Sequence, residues 1–184
     1  MANQRSRGRW RRLPASSVEL WNVIAEEAAA ESPLWGESLL PADRRDPVPV
    51  FSPLLSDARF AVGVETIYEG YLLHYGRPRL FAAGEDRNAL LLGDYLYAHG
   101  LVRIAEHQDV DAVADLAALI SLCAQLRADG DAGDGEAWAA TAALIGRGPL
   151  NGDHGSAALL SVARHAVGDE AVDRALVLHA GRVG

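Results

Sequence analysis

The chain has 184 residues, 49% of them apolar and 23% charged, which suits one globular domain with its own core and excludes a disordered segment. All 17 basic residues are arginine and Cys123 is the single cysteine, which excludes lysine Schiff bases, lysine phosphate clamps, disulfide frameworks and cysteine zinc sites, and suits a cytoplasmic protein. The net charge of −8 is uneven: residues 1–12 carry five arginines and no acid, while the rest sets 12 arginines against 25 acids.

A body that acidic is a poor surface for phosphate backbones, so no nucleic-acid partner is expected. Residues 1–15 read as a basic, flexible tail able to make peripheral membrane contact. They lack the apolar stretch of a secretory signal. The longest uncharged run, Leu116 to Leu126, falls well short of the ~20 residues of a membrane helix, so no transmembrane segment is expected. Residues 16–184 are expected to form a single helical domain.

In chain order, Ser16 and Glu19 read as a capping box, and Leu20, Trp21, Ile24 and Ala28 follow on one helical face as far as about Glu31. Residues 32–52, with Pro33, Pro41, Pro47 and Pro49, read as an extended connector with one helical turn, wrapped over the body. Ser52 and Pro53, at a cap and a first helical position, predict a long helix over 52–74. A second long helix is expected over 86–106, with Gly93 and Gly100 admitting a close neighbour. Asp109 predicts a cap for a third, over 110–128. Shorter helices are expected over 136–146, 155–167 and 170–181, with Gly168-Asp169 as a stop and a fresh cap. No strand-like alternation is present, so the fold class read from the sequence is all-α.

The ordered set Gly76-Arg77-Pro78, Gly84-Glu85 and Leu91-Leu92-Gly93-Asp94-Tyr95-Leu96 resembles the trans-prenyl diphosphate synthases, the polyprenyl synthetase family, over about residues 53–128. The resemblance implies a helical bundle like part of the isoprenoid synthase fold. In that family aspartate-rich motifs hold Mg²⁺, and basic side chains clamp the departing diphosphate. Carried over, the first motif falls on Glu65, Thr66 and Glu69, and the paired arginines before the glycine fall on His74 and Tyr75. One acid in three is lost, no Asp-Asp pair occurs anywhere, and no lysine remains. The resemblance therefore implies a shortened, degenerate relative. Its diphosphate-binding remnant would comprise Glu65, Glu69, His74, Tyr75 and Arg77, and Glu65 and Glu69 would be its metal ligands if any metal bound. No catalytic residue is assigned and no cofactor is expected, Mg²⁺ entering only if the remnant is active.

Other residues weigh less. Asp169-Glu170-Ala171-Val172-Asp173 imitates a second acidic motif, but the same residues suit the start of a helix. Asp153-His154, His165 and His179 form no metal-ligand spacing. Asp94 in its apolar stretch would need a partner if buried. Arg77 reads either as a diphosphate ligand or as a cap on the preceding helix, or a partner of Glu85. Consecutive Leu90, Leu91 and Leu92 suggest burial on more than one side of the central helices. The functional expectation is a pseudoenzyme, an accessory or regulatory subunit in isoprenoid biosynthesis. It would pair with itself as a dimer, or with a full-length prenyl synthase, through helices about 86–128. The alternatives are a helical scaffold or adaptor of a larger assembly and a Mg²⁺-dependent prenyl-diphosphate-binding enzyme.

Overall fold

The computed structural model describes residues 17–82, 87–150 and 155–183. The basic stretch 1–15, the Ser16 cap, Gly84-Glu85 and Asp153-His154 lie outside the described residues. Among those described the chain is all-α: α1 (Ser17–Glu31), α2 (Pro33–Glu37), α3 (Ala61–Tyr75), α4 (Arg87–Ala105), α5 (Val110–Asp129), α6 (Asp134–Ala143), α7 (Ser156–Val167) and α8 (Asp169–Val183). Among the described residues extended backbone pairs only at an isolated antiparallel bridge between Leu39 and Phe81. None of these helices is long and apolar enough to cross a membrane.

Helix α3 is the centre of the molecule, and every residue from Val62 to Leu73 is buried. A helix covered on all sides needs neighbours all round. On one side Leu20, Trp21 and Ile24 of α1 pack with Leu80, Phe81, Leu92 and Leu96. On the other, Ile67, Tyr68 and Tyr71 of α3 join Phe51, Leu116, Leu119 and the Trp138 ring of α6. Residues 38–51 wrap over the body: Leu40 N–H donates to Leu80 C=O at 2.8 Å and Asp46 N–H to Arg79 C=O at 3.0 Å. Trp21 Nε1 pins this connector from α1 by donating to Pro47 C=O at 2.7 Å.

The expected helix over 52–74 is corrected to a shorter one. Ser52–Leu54 forms a 3₁₀ turn and Leu55 is extended. A second 3₁₀ turn, Ala58–Phe60, is capped by Asp57, whose carboxylate accepts the Arg59 N–H at 2.9 Å. The regular helix starts only at Ala61. The cause is a competing acceptor, because the Glu65 carboxylate takes the N–H groups of Val50 and Ser52 and holds that backbone away from a helical path.

The other elements lie within a few residues of their expected bounds. Asp109 caps α5 by accepting the Ala112 N–H at 3.0 Å, and Gly130 ends it in the left-handed conformation. Gly168, at φ +89°, separates α7 from α8. The α3–α4 contact depends on glycine from both sides, Gly100 lying against Gly63 and Gly93 against Gly70, so the helices run antiparallel. A Cβ on Gly70 would sit 2.8 Å from the Gly93 carbonyl oxygen, and one on Gly100 2.9 Å from that of Gly63. Backbone cannot yield as a flexible side chain can. Gly70→Ala should therefore lower stability by about 1–3 kcal/mol, although alanine favours helix by about 1 kcal/mol. Urea unfolding of both proteins measures this, and a stabilised variant would contradict the close contact.

Candidate functional site

Glu65 and Glu69 stand one turn apart on α3 and share a face, as their spacing requires. Both are fully buried. Glu65 Oε1 accepts the N–H groups of Val50 and Ser52 at 3.0 and 2.9 Å, and Oε2 accepts Arg79 Nη1 at 2.6 Å. Glu69 Oε1 accepts the N–H groups of Arg79 and Leu80 at 2.8 and 2.7 Å, and Oε2 accepts Arg79 Nε at 2.9 Å. Arg79 completes its own set by donating to the carbonyls of Val48 and Glu65, both at 3.2 Å. Its guanidinium lies 4.3 Å from the centroid of the Trp21 ring and 4.9 Å from that of Tyr68. Burial works against the arginine's charge, but Glu65 and Glu69 outweigh it and hold the group above its ordinary range. The knot is thus two carboxylates and one guanidinium, with all four carboxylate oxygens engaged.

This arrangement redirects the proposed remnant. A hard cation or a diphosphate at Glu65 and Glu69 would have to displace Arg79 and four backbone N–H groups, so the pair as folded is internal bracing and not an open metal site. Among the described residues no group of three or more His, Cys, Asp or Glu is placed to hold a metal ion. His74 Nε2 lies 3.2 Å from Asp94 Oδ1, with its ring stacked on Tyr97. Tyr75 packs its ring on Tyr71. Arg77 is exposed and donates to the Gly181 carbonyl, while its own N–H donates to Arg182 C=O at 2.9 Å. Arg77 therefore fastens the end of α8 and does not cap the preceding helix. The five residues do not converge on one pocket.

Two further acidic positions find their partners. The Asp94 side chain is 69% exposed, so its partner is a matter of surface pairing and not of burial. The Asp169 and Asp173 carboxylates both accept from Arg164, so the imitation of a second acidic motif is an ion-paired helix start.

The sequence reading missed Arg79 altogether. Its one signal was indirect: two glutamates within a helix of otherwise uncharged residues require a buried counter-charge. Also missed was a polar chain linking α3, α5, α6 and α8. Tyr68 Oη lies 3.0 Å from His179 Nδ1, and His179 Nε2 lies 3.4 Å from Asp134 Oδ2. Tyr71 donates its hydroxyl proton to the same Asp134 oxygen and accepts from Arg127 Nε and Nη2 at 3.0 and 2.8 Å. Burial works against the Asp134 charge, but the His179 contact, the hydrogen bond from Tyr71 and the Arg127 charge hold its carboxyl well below the usual carboxylate range. Burial, then the Asp134 carboxylate, push the Tyr71 phenol far up, and burial does the same to Tyr68 and Tyr97. Chemically the chain is a run of donors and acceptors that clamps α8 and α6 onto α3, with His179 Nε2 in an ion-pair contact and not in a hydrogen bond. The Cys123 thiol is buried and pushed up by that burial, which makes it inert.

No protein-family model, curated protein or solved structure matches this chain.

The tyrosines supply a test of the buried polar chain. A phenol whose folded pKa is raised stabilises the fold below its ordinary value of about 10, and that stability is lost as pH rises beyond it. Alkaline titration should show Tyr68, Tyr71 and Tyr97 ionising only together with loss of helical circular dichroism. Smooth ionisation of all five tyrosines near pH ~10 in a folded chain would contradict the arrangement.

Proposed function

We propose that this chain is a non-catalytic, prenyl-synthase-like helical subunit that acts by association through the outer face of α4 and α5, with a second copy of itself or with a complete synthase. The observation that carries the reading is the chemistry of that face. Between Asn88 and Ala105 the exposed residues of α4 are Leu90, Leu91, Asp94, Ala98 and Val102. Leu90 and Leu91 are each 50% exposed and Val102 is 57% exposed, whereas Leu92 is buried in the core. On α5, between Asp111 and Asp129, which are both exposed, the exposed residues Ala114, Ala117, Ala118, Ser121, Ala124, Gln125 and Ala128 carry no charge.

An ordinary solvent-facing helix carries charges at such positions, as an amphipathic pattern requires. Here the exposed acids of the two helices are Asp94, Asp111 and Asp129, the last two near the ends of α5, and the middle of the face carries none but Asp94. Each helix is about 30 Å long, and side by side at ~10 Å spacing they offer a footprint on the order of 600 Å². That approaches the ~800 Å² each partner contributes to a stable interface. The alanines would let a facing helix come close, and the leucines would supply the apolar burial.

The non-catalytic part of the reading is supported by the Glu65–Arg79–Glu69 knot, in which the only acids matching the family's first motif are already spent. The purified chain is therefore expected not to condense allylic and homoallylic diphosphates in Mg²⁺. Sedimentation velocity at micromolar concentration, with and without a complete trans-prenyl synthase, tests the association. A dimer or a hetero-complex is expected, and Ala98→Arg should return the chain to monomer with unchanged helix content. A monodisperse monomer in both mixtures, or turnover by the chain alone, would overturn the proposal.

A further inference from the structure

The outer stripe of α4 holds a single acid, and that acid has a partner inside the molecule. Leu90, Leu91, Asp94, Ala98 and Val102 share this stripe at helical spacing, and all five are exposed. Asp94 Oδ1 lies 3.2 Å from His74 Nε2 of α3. That nitrogen is buried and makes no hydrogen bond among the described residues. Glycine at 93 lets the ring reach outward past α4, because a Cβ there would sit 2.6 Å from Nε2. A titratable group of the central helix thereby touches the one charge of an otherwise uncharged stripe.

The surroundings leave these two groups as the switchable pair. Tyr97 of α4 stacks on the His74 ring, and Tyr75 of α3 packs beside it. Burial pushes both phenols up, and does the same to the Cys123 thiol of α5, so all three stay neutral near pH ~7. Arg127 of α5 is engaged by Tyr71 and Asp134, and Arg77, just past the end of α3, by the Gly181 carbonyl. Arg87, exposed in the first turn of α4, stands about 10 Å from Asp94 along the helix axis, beyond pairing distance.

Resting on the association reading above, we propose that the face of α4 and α5 takes a second copy of this chain in a two-fold dimer, which protonation of His74 strengthens by balancing the Asp94 charge. A footprint on the order of 600 Å² on each copy gives about 1,200 Å² in total, the lower end of stable interfaces. A surface without charge meets its own copy without repulsion except at Asp94, which a two-fold axis brings in twice. Covering a carboxylate whose neighbour is neutral leaves its lost hydration uncompensated, whereas a protonated imidazole beside it offsets that loss. Dimerisation therefore favours proton uptake at each His74. By linkage the dimer tightens as pH falls through the ordinary histidine range of about 6–7.

Sedimentation equilibrium of the full chain at pH ~8 and pH ~5.5 tests this, with helix content checked by circular dichroism. The dimer dissociation constant of the wild-type chain should fall at least about tenfold at the lower pH. Asp94→Asn should dimerise at pH ~8 as tightly as the wild type does at pH ~5.5 and lose the pH dependence, while His74→Gln should stay weak at both. A dimer whose constant does not change with pH, or a pH dependence that survives both substitutions, would overturn the gating and leave the association reading standing. So would a chain monomeric at both pH values that still binds a complete synthase, since the occupant is then not a second copy. A chain monomeric in every mixture would overturn that reading and this proposal together.

Discussion

A guanidinium held between two carboxylates in a dry interior is the constraint on which the rest of this molecule depends. Each such ion costs several kcal/mol to remove from water, and the cost is recovered only when every donor and acceptor is matched in good geometry. Arg79 meets that condition by meeting Glu65 and Glu69 through Nη1 and Nε, while four backbone N–H groups satisfy the remaining carboxylate oxygens. Those N–H groups belong to the connector and to the segment after α3, so the knot fixes both segments on the central helix. Trp21 covers the guanidinium from α1 and pins Pro47, adding a fourth element. Removing one ion would leave the others buried without compensation, which makes the arrangement all-or-none.

The same constraint decides which parts of the fold were legible in the sequence. Helices whose signals are local were readable: the apolar face of α1, the Asp109 cap of α5, and the Gly168 break before α8. The glycines of α4 were readable as points of close approach because only a missing Cβ permits such contact, although their partners Gly63 and Gly70 were not. The start of α3 was misread because Ser52-Pro53 carries a helix-start pattern that Glu65, 13 residues on, overrides by capturing the backbone. Local propensity loses where a buried charge must be satisfied.

The polar side chains were harder to read for a related reason. Arg79 lies 14 residues from Glu65 in a loop without periodicity. Tyr68 meets His179 across 111 residues and Tyr71 meets Asp134 across 63. Nothing in residue spacing encodes such meetings, because they are set by the packing of α6 and α8 on α3. The acids that the resemblance marks as metal ligands, Glu65 and Glu69, are buried and fully engaged. Their partner is an arginine that lies outside the residues carrying the resemblance.

The central claim is that Arg79, and not a metal ion, is the cationic partner of the two glutamates of α3. It is tested most directly by urea unfolding of the full chain and of Arg79→Met, each with and without millimolar Mg²⁺. The account expects Arg79→Met to lose about 3–5 kcal/mol of stability, the cost of leaving buried carboxylates without their partner. It expects Mg²⁺ to leave the midpoint of the wild-type chain unchanged. A variant within about 0.5 kcal/mol of wild type, the range of an ordinary surface substitution, together with a wild-type chain stabilised by Mg²⁺, would contradict it.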